Sequence, residues 1–313
     1  MQNTIKRHFC WCLLAVPAVI LFACAGAPAR AARGGPCGTS RPSAAHYRHV
    51  IWILEENHSY GKIIGNSSAR YINALARGCG LATNYHNISH PSLPNYVGMT
   101  SGLALSRLHR FSSDCSPSSR CSTSAPSIMG QTPNWTAYED SMPSNCYKHD
   151  HGEYAVRHNP APYFTTLAGC ATKDVPFTRL ARDLSSGQLP AFSFITPNLI
   201  HDMHDGTVAQ GDVWLKSHLP SILNSSEYRS GRTVVFITWD EGEGGTSNNC
   251  ATNTTDVGCH VATIVISPTT KPGTRSGVLF NHYSLLRTTE ELLRLPALGE
   301  AKRAHSMRSA FGL

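Results

Sequence analysis

The chain has 313 residues, of which 15% are charged and 41% are hydrophobic. Soluble proteins carry about 25% charged residues, so this composition excludes a disordered or highly charged chain and leaves enough apolar residues for one large core. The formal net charge is +7 at pH 7, and the 11 cysteines and 16 histidines are unusually many. Either residue type could bind metal, so their positions along the chain decide how they are interpreted.

The first 32 residues have the pattern of a secretory signal. Lys6 and Arg7 precede an apolar stretch, and small residues end it at Ala32, a suitable cleavage site. A membrane anchor is the alternative, but the strongly apolar part is shorter than the roughly 20 residues that a span needs. A lipoprotein is a further alternative, since LFAC resembles a lipid-attachment motif with a bulky Phe. We expect a secreted protein whose mature chain has no transmembrane segment.

Cleavage would also change the charge and the cysteine count. Loss of Lys6, Arg7 and Arg30 lowers the net charge from +7 to +4. So small a charge without a Lys/Arg block argues against nucleic acid as a partner, and it is compatible with an anionic substrate or a lipid headgroup. Loss of Cys10, Cys12 and Cys24 leaves eight cysteines.

An even set of eight cysteines predicts four disulfides in an oxidising compartment. The set contains no paired CxxC motifs, which argues against a structural zinc site. We expect two disulfides between cysteines that are close in sequence, Cys115–Cys121 and Cys250–Cys259, and the other pairings stay open. The eight cysteines are Cys37, Cys79, Cys115, Cys121, Cys146, Cys170, Cys250 and Cys259.

Apolar runs that end in polar residues alternate with segments of helical periodicity. This alternation predicts an α/β fold, with a mostly parallel central sheet flanked by helices, and ligands bind beyond the carboxyl ends of such strands. In chain order the elements are a strand at 48–57, helices at 67–77 and 94–100, a strand at 189–198, a helix at 210–223, strands at 232–241 and 260–268, and a helix at 283–295.

Residues 110–165 are rich in Ser, Asn, Pro and Cys and show little periodicity. They predict a disulfide-rich insertion or cap within a single domain that covers residues 33–313. Its histidines, His149, His151 and His158, are expected at the surface.

Two predicted strands end in acidic residues. Glu55, Glu56 and Asn57 follow one strand, and Asp240 and Glu241 follow another. Buried carboxylates are costly unless a cation neutralises them, and oxygen ligands suit a divalent metal ion. Taken singly, each acid could instead cap a helix or lie in a solvated loop.

Ser92 lies between Pro91 and Pro94 at the start of a predicted helix. A hydroxyl in that position faces free backbone N–H groups, a setting that suits a phosphate group. An ordinary N-cap is the alternative. Ser92 has no GxSxG context, which argues against a nucleophile-elbow hydrolase.

Residues 198–206 concentrate ionisable groups in a chain that has few of them. His201, Asp202, His204 and Asp205 follow a predicted strand. Histidines there could bind phosphate, protonate a leaving group or ligate a metal, or the segment could be a polar surface turn. Other histidines at element boundaries are His90, His260 and His282.

Five segments, in order, resemble the successive sequence blocks of the bacterial phosphoesterase family, which contains acid phosphatases and non-haemolytic phospholipases C. The resemblance implies an alkaline-phosphatase-like fold and a secreted, metal-dependent acid phosphatase that acts on phosphate monoesters through a phosphoserine intermediate. Its mycobacterial members make a phosphoinositide headgroup a candidate substrate. The segments are HVIWILEENHSYGKIIGN, NYHNISHPSLPNYVGMTSG, PNLIHDMHDGTVAQGDVWL, VVFITWDEGEG and NHYSLLRTTEELLRLPALG.

The same resemblance implies a role for each candidate residue. A divalent metal ion of unknown identity would be held by Glu56, Asn57, Ser92, Asp240 and Glu241, with Ser92 as the nucleophile. The remaining implied roles are catalysis by His204, oriented by Asp202 or Asp205, and substrate binding by His90, Asp202 and His282.

Three other functions are alternatives. A phospholipase C would cleave phosphodiesters, a non-catalytic relative would bind ligands without turnover, and a serine esterase would hydrolyse acyl esters without metal.

Overall fold

A computed structural model describes residues 35–40, 47–245 and 247–313. The predicted signal sequence, with Cys10, Cys12 and Cys24, lies outside these residues. None of the helices in the described part of the chain is long and apolar enough to cross a bilayer.

The described strands form one mixed sheet, in the order β4-β3-β5-β1-β6-β7-β2-β8, with β9 paired to β2. Most of the pairings are parallel, and β7 is antiparallel to both of its neighbours. The strands are β1 (His49–Glu55), β2 (Gly80–His86), β3 (Trp135–Glu139), β4 (Asp174–Pro176), β5 (Phe192–Thr196), β6 (Thr233–Trp239), β7 (His260–Ile266), β8 (Arg275–Ser276) and β9 (Phe280–Asn281).

The predicted α/β class and mostly parallel sheet are confirmed. All four predicted strands form and lie side by side in the order β5-β1-β6-β7, because their continuous apolar runs suit positions that are covered on both faces. The reversal of β7 has a physical reason. Parallel neighbours need a crossover connection, usually a helix, whereas β6 and β7 are joined by a loop with one short 3₁₀ turn, Val257–Cys259.

The four predicted helices also form, with shifted ends, as α2, α3, α8 and α10. The 3₁₀ turn Val156–His158 lies in the segment predicted to be an insertion. The helices are α1 (Tyr60–Ile63), α2 (Arg70–Gly78), α3 (Ser92–Ser101), α4 (Leu105–Leu108), α5 (Ile128–Gln131), α6 (Cys170–Lys173), α7 (Arg179–Ser185), α8 (Val208–Leu223), α9 (Ser226–Arg229), α10 (His282–Leu293) and α11 (Arg308–Phe311).

The segment 110–165 is part of the sheet as well as a connection. Its strand β3 pairs in parallel with β5 and β4, and Trp135 and Tyr138 are buried in the core. The absence of periodicity along this segment therefore concealed a strand of only five residues.

All eight cysteines of the described residues are paired, which confirms the prediction of four disulfides. The two local pairs, Cys115–Cys121 and Cys250–Cys259, are confirmed too. The remaining bonds are Cys37–Cys79 and Cys146–Cys170. The long-range bond Cys37–Cys79 ties the start of the described chain to the end of α2.

Candidate active site

The carboxyl ends of β1 and β6 bring the two acidic segments together. Glu55 and Trp239 are register partners at the ends of these strands, and the Asp240 N–H donates to the Glu55 carbonyl at 3.0 Å. The Glu56 N–H donates to the Asp202 carbonyl at 2.7 Å, which ties in the loop after β5. The three polar segments thus meet at one edge of the sheet.

Ser92 is buried at the start of α3 and faces Glu56. Its hydroxyl donates to Glu56 Oε2 at 3.1 Å. The Tyr96 hydroxyl donates to the other carboxylate oxygen, Oε1. Because positions four apart lie on one helix face, the spacing of Ser92 and Tyr96 was a usable sequence signal for Tyr96. The structure also distinguishes the adjacent residues Glu55 and Glu56. Glu56 contacts Ser92, whereas the Glu55 carboxyl group has no hydrogen-bond partner among the described residues.

Asp240 is completely buried, and neither of its carboxyl oxygens has a hydrogen-bond partner in the described part of the chain. The amide oxygen of Asn57 is likewise buried without a described partner. Burial, followed by the charges of Glu56 and Glu241, raises the pKa of Asp240 well above its ordinary value. A buried acceptor without a donor is costly, so these oxygens require either protons or a cation.

His90 and His282 both contact the acidic segment at the end of β6. His90 Nδ1 lies 2.7 Å from Glu241 Oε2. His282, at the start of α10, is fully buried, with Nε2 at 2.6 Å from the Asp240 carbonyl and Nδ1 at 3.1 Å from the Tyr85 hydroxyl. Both ring nitrogens of His282 are therefore occupied by protein atoms, which suits the positioning of Asp240.

His204 lies at the more open side of the site. Its Nδ1 is 2.7 Å from Asp205 Oδ1, and its Nε2 is 3.3 Å from a guanidinium nitrogen of Arg157. The hydrogen bond to Asp205 fixes the ring, and Nε2 faces the Arg157 guanidinium. The loop needs glycine at position 206, because a Cβ there would collide with the Ile200 carbonyl.

His158 is a site residue that the sequence analysis missed. It was expected at the surface, but only 2% of its side chain is exposed. Its Nε2 lies 3.4 Å from Glu56 Oε1 and its Nδ1 lies 3.2 Å from Asp202 Oδ2. The expectation was wrong because the surrounding composition is polar, and only the 3₁₀ turn after Ala155 aims this side chain inward.

Arg157 was missed for the same reason as His158, and no local pattern distinguished either residue.

Asp202 is buried behind His158 and His204, where it accepts from His158 and from the His204 N–H at 2.8 Å. It therefore contacts protein groups that orient the two histidines. Two other histidines are held elsewhere: His201 pairs with Asp140, and His260 lies against the Thr83 carbonyl.

The electrostatics of the site favour a bound cation. Burial is the largest cause that raises the pKa of Glu56 and of Asp202 to about 7 each, and it also raises the pKa of Glu241. Burial lowers the pKa of His158 to about 4, partly offset by Glu56. Arg157 and His204 offset the effect of burial on Asp202 only in part, so the four buried acids, Asp240 included, are not neutralised by the protein groups around them.

A divalent metal ion fits this donor set. The Asp240 carboxyl group lies beside Glu56 and Ser92, and such oxygen-rich sets suit hard or borderline cations. Ligand atoms of Glu56, His158 and His204 also lie within 4.8 Å of one another. A third group, His90 with Cys250 and Cys259, cannot offer thiolates because its cysteines form a disulfide.

A comparison with protein families matches the Phosphoesterase family over residues 66–296. The chain belongs to this family. The match spans most of the chain, including Ser92, the 198–206 loop, Asp240 and His282. The protein is therefore a hydrolase of phosphate esters, as the five sequence blocks implied.

Curated relatives agree with the family assignment. A phosphatidylinositol-3-phosphatase of Mycobacterium tuberculosis is 30% identical over 280 residues, covering 88% of this chain and 86% of that protein. A probable acid phosphatase of Kluyveromyces lactis is 28% identical over 82% of this chain and 60% of that protein. The chain spans little more than half the length of the fungal relatives that it matches.

Solved structures share the fold at low identity. An alkaline-phosphatase-superfamily protein from Vibrio parahaemolyticus matches 84% of this chain and 72% of its own, with a TM-score of 0.55 and 12% identity. A phosphonate monoester hydrolase from Silicibacter pomeroyi matches 84% and 76%, with a TM-score of 0.56 and 11% identity. The implied alkaline-phosphatase-like fold is thereby confirmed.

Proposed function

We propose that the protein is a secreted, metal-dependent acid phosphatase that hydrolyses phosphate monoesters, with phosphoinositides as a candidate substrate class. The observation that carries the proposal is the Ser92 hydroxyl, bonded to buried Glu56 beside the unpartnered carboxyl group of Asp240. The names of the curated relatives support monoester hydrolysis. The four disulfides and the signal-like start of the sequence support secretion.

The metal ion would be held by oxygens at the edge of the sheet. Glu56, Asn57, Ser92, Asp240 and Glu241 are the proposed ligands. When bound, the ion would neutralise these acids and lower the pKa of the Ser92 hydroxyl. His282 would hold the Asp240 backbone through its carbonyl group, and His90 would hold the Glu241 carboxylate.

Ser92 would then act as the nucleophile. Having lost its proton to solvent, Ser92 would attack as an alkoxide: its oxygen forms a bond to phosphorus as the bond from phosphorus to the ester oxygen breaks, and hydrolysis later returns the alkoxide. Protonated His204, oriented by Asp205, gives the Nε2 proton to the departing alcohol. Arg157, beside that nitrogen, is placed to hold the phosphoryl oxygens as charge redistributes.

Water would complete the cycle by attacking the phosphoserine. Neutral His204 takes the proton of the water, the bond from Ser92 to phosphorus breaks, and inorganic phosphate leaves. The names of the acid phosphatases among the curated relatives support a working range on the acidic side of neutrality.

A Ser92→Ala variant tests the proposal. We expect phosphate release from an aryl phosphate to fall by at least about a thousandfold, because no other group replaces the nucleophile. Ser101→Ala is the matched control, since Ser101 is a buried serine of the same helix whose hydroxyl hydrogen-bonds to the Val97 carbonyl and the Leu103 N–H. An acid quench should trap phosphate on Ser92 in the wild type, and undiminished turnover by Ser92→Ala would refute the role.

A product assay separates the monoesterase from the alternatives. Inorganic phosphate released from inositol-lipid, sugar and nucleotide monoesters at about pH 5 supports the proposal. Diacylglycerol from phosphatidylcholine would indicate a phospholipase C, and acyl-ester hydrolysis that survives a chelator would indicate a serine esterase. Metal content, measured by mass spectrometry on the purified protein, gives a readout independent of turnover.

A further inference from the structure

A second polar cavity, of about 500 Å³, lies between α4 and the loop closed by the Cys115–Cys121 disulfide. None of its lining residues belongs to the Ser92 site. Three of them are arginines, Arg107, Arg110 and Arg120, and three carry hydroxyl groups, Ser106, Ser119 and Thr123. We call this cavity the arginine pocket.

The arginine pocket is held together by specific bonds. The Arg110 guanidinium donates twice to the Arg120 carbonyl, at 3.3 and 3.2 Å. Arg120 precedes Cys121, whose backbone exchanges hydrogen bonds with Ser118 within the disulfide-closed loop. The Arg110 side chain is thereby fixed against the backbone of the segment that carries Arg120, which lowers the entropy that Arg110 loses when a ligand binds.

The charge of the arginine pocket is unbalanced. Within the described residues, no carboxylate forms an ion pair with Arg107, Arg110 or Arg120. The nearest acid in sequence, Asp114, instead accepts from the Leu93 N–H at 2.9 Å. All three arginines are exposed, so their guanidinium groups concentrate positive charge around one solvent-accessible cavity and attract anions to it.

The chemistry of the lining defines that ligand. Guanidinium groups match the geometry of phosphate and sulfate oxygens and bind them with paired hydrogen bonds, and hydroxyl groups add further donors. We propose that the arginine pocket is a second binding site, separate from the Ser92 site, for the phosphate or sulfate groups of a polyanionic ligand. These groups can come from a soluble polyanion or from the headgroups of an anionic lipid surface.

Binding measurements on the Ser92→Ala protein test the proposal without turnover. Inositol hexasulfate, titrated calorimetrically, represents the soluble source. Vesicles of phosphatidylcholine with or without phosphatidylglycerol, in a sedimentation assay, represent the lipid source. The test variant is Arg107→Gln/Arg110→Gln/Arg120→Gln. The matched control is Arg77→Gln/Arg182→Gln/Arg275→Gln, which removes the same charge from exposed arginines elsewhere.

We expect the pocket variant to bind at least one probe more weakly, by about fivefold for each arginine and on the order of a hundredfold for all three. The control variant should lose much less. Loss of inositol hexasulfate binding alone identifies the soluble source, and loss of vesicle binding alone identifies the lipid source. Equal affinities of the two variants, or no binding of either probe to the Ser92→Ala protein, would overturn the proposal.

The pocket does not depend on the proposed function. Made in the wild-type background, the pocket variant should hydrolyse a small aryl phosphate at the wild-type rate, which also verifies its fold. If Ser92→Ala retained full turnover, the proposed mechanism would fail while the binding result stood.

Discussion

Two groups of buried carboxyl groups in this sheet have different chemistry. One is the Ser92 site, at the ends of β1 and β6. The other is formed by Glu139, at the end of β3, and Asp174, at the start of β4. Ala137 pairs with Asp174 in the register, so Glu139 and Asp174 lie on the same face. Burial is the largest cause that raises the pKa of Glu139 well above its usual range and that of Asp174 to about 7.

The partners of the two groups explain the difference. The Asn159 amide donates to both oxygens of Asp174, at 2.9 and 3.0 Å, and among the described residues neither acid contacts a serine hydroxyl or a histidine. The Asp240 carboxyl oxygens have no such amide donor among the described residues, and the neighbours of Asp240 include Ser92 and His282. Glu139 Oε1 is also buried without a partner among the described residues, so buried acids with raised pKa values do not identify a catalytic site by themselves. The serine hydroxyl beside the acids at the ends of β1 and β6 is what supports the proposed site.

The largest expected difference in metal content and turnover comes from replacing one acid in each group with its amide. Asp240→Asn should remove most of the bound metal and lower phosphate release by more than about a hundredfold, because a ligand is lost. Asp174→Asn should keep wild-type metal content and turnover. Metal stoichiometry and initial rates measure both, and equal metal loss in the two variants would remove the distinction.

Replacement of His158 should have the next largest effect. His158→Ala leaves Glu56 and Asp202 without their shared partner, so we expect turnover to fall by about 10- to 100-fold with a smaller change in stability. His149→Ala, an exposed histidine of the same segment, is the control. If both variants retained full activity, His158 would belong to the structural core and not to the site.

The smallest effect concerns the pH dependence of stability. Because Glu139 and Asp174 have raised pKa values in the folded protein, the folded state binds more protons than the unfolded state between about pH 4 and pH 7. The free energy of unfolding of metal-saturated protein should therefore fall as pH rises through this range, by roughly 1–3 kcal/mol. Glu139→Gln should flatten that slope in urea unfolding measured between pH 5 and pH 8. A variant slope as steep as that of the wild type would show that the pair is not its source.

Much of the architecture follows from local sequence. Each of the four apolar runs forms a central strand. The acidic residues at 55–57 and 240–241 lie close together because β1 and β6 are parallel and end at the same edge of the sheet. Ser92 opened its helix as the prolines indicated. The sequence could not show which of the two adjacent acids, Glu55 or Glu56, contacts α3. The structure decides this, because the end of β1 directs the Glu56 side chain toward Ser92.

Tertiary structure alone decided the rest. His158 and Arg157 lie in the site although their segment shows no periodicity. Strand β3 pairs with strands that are distant in sequence, and Cys37 forms a disulfide with Cys79, 42 residues away. The sequence by itself determined the central strands, the two local disulfides and the acids at the strand ends, because these depend on neighbouring residues. Which histidine faces which carboxylate depends on contacts between distant segments, which form only when the core packs.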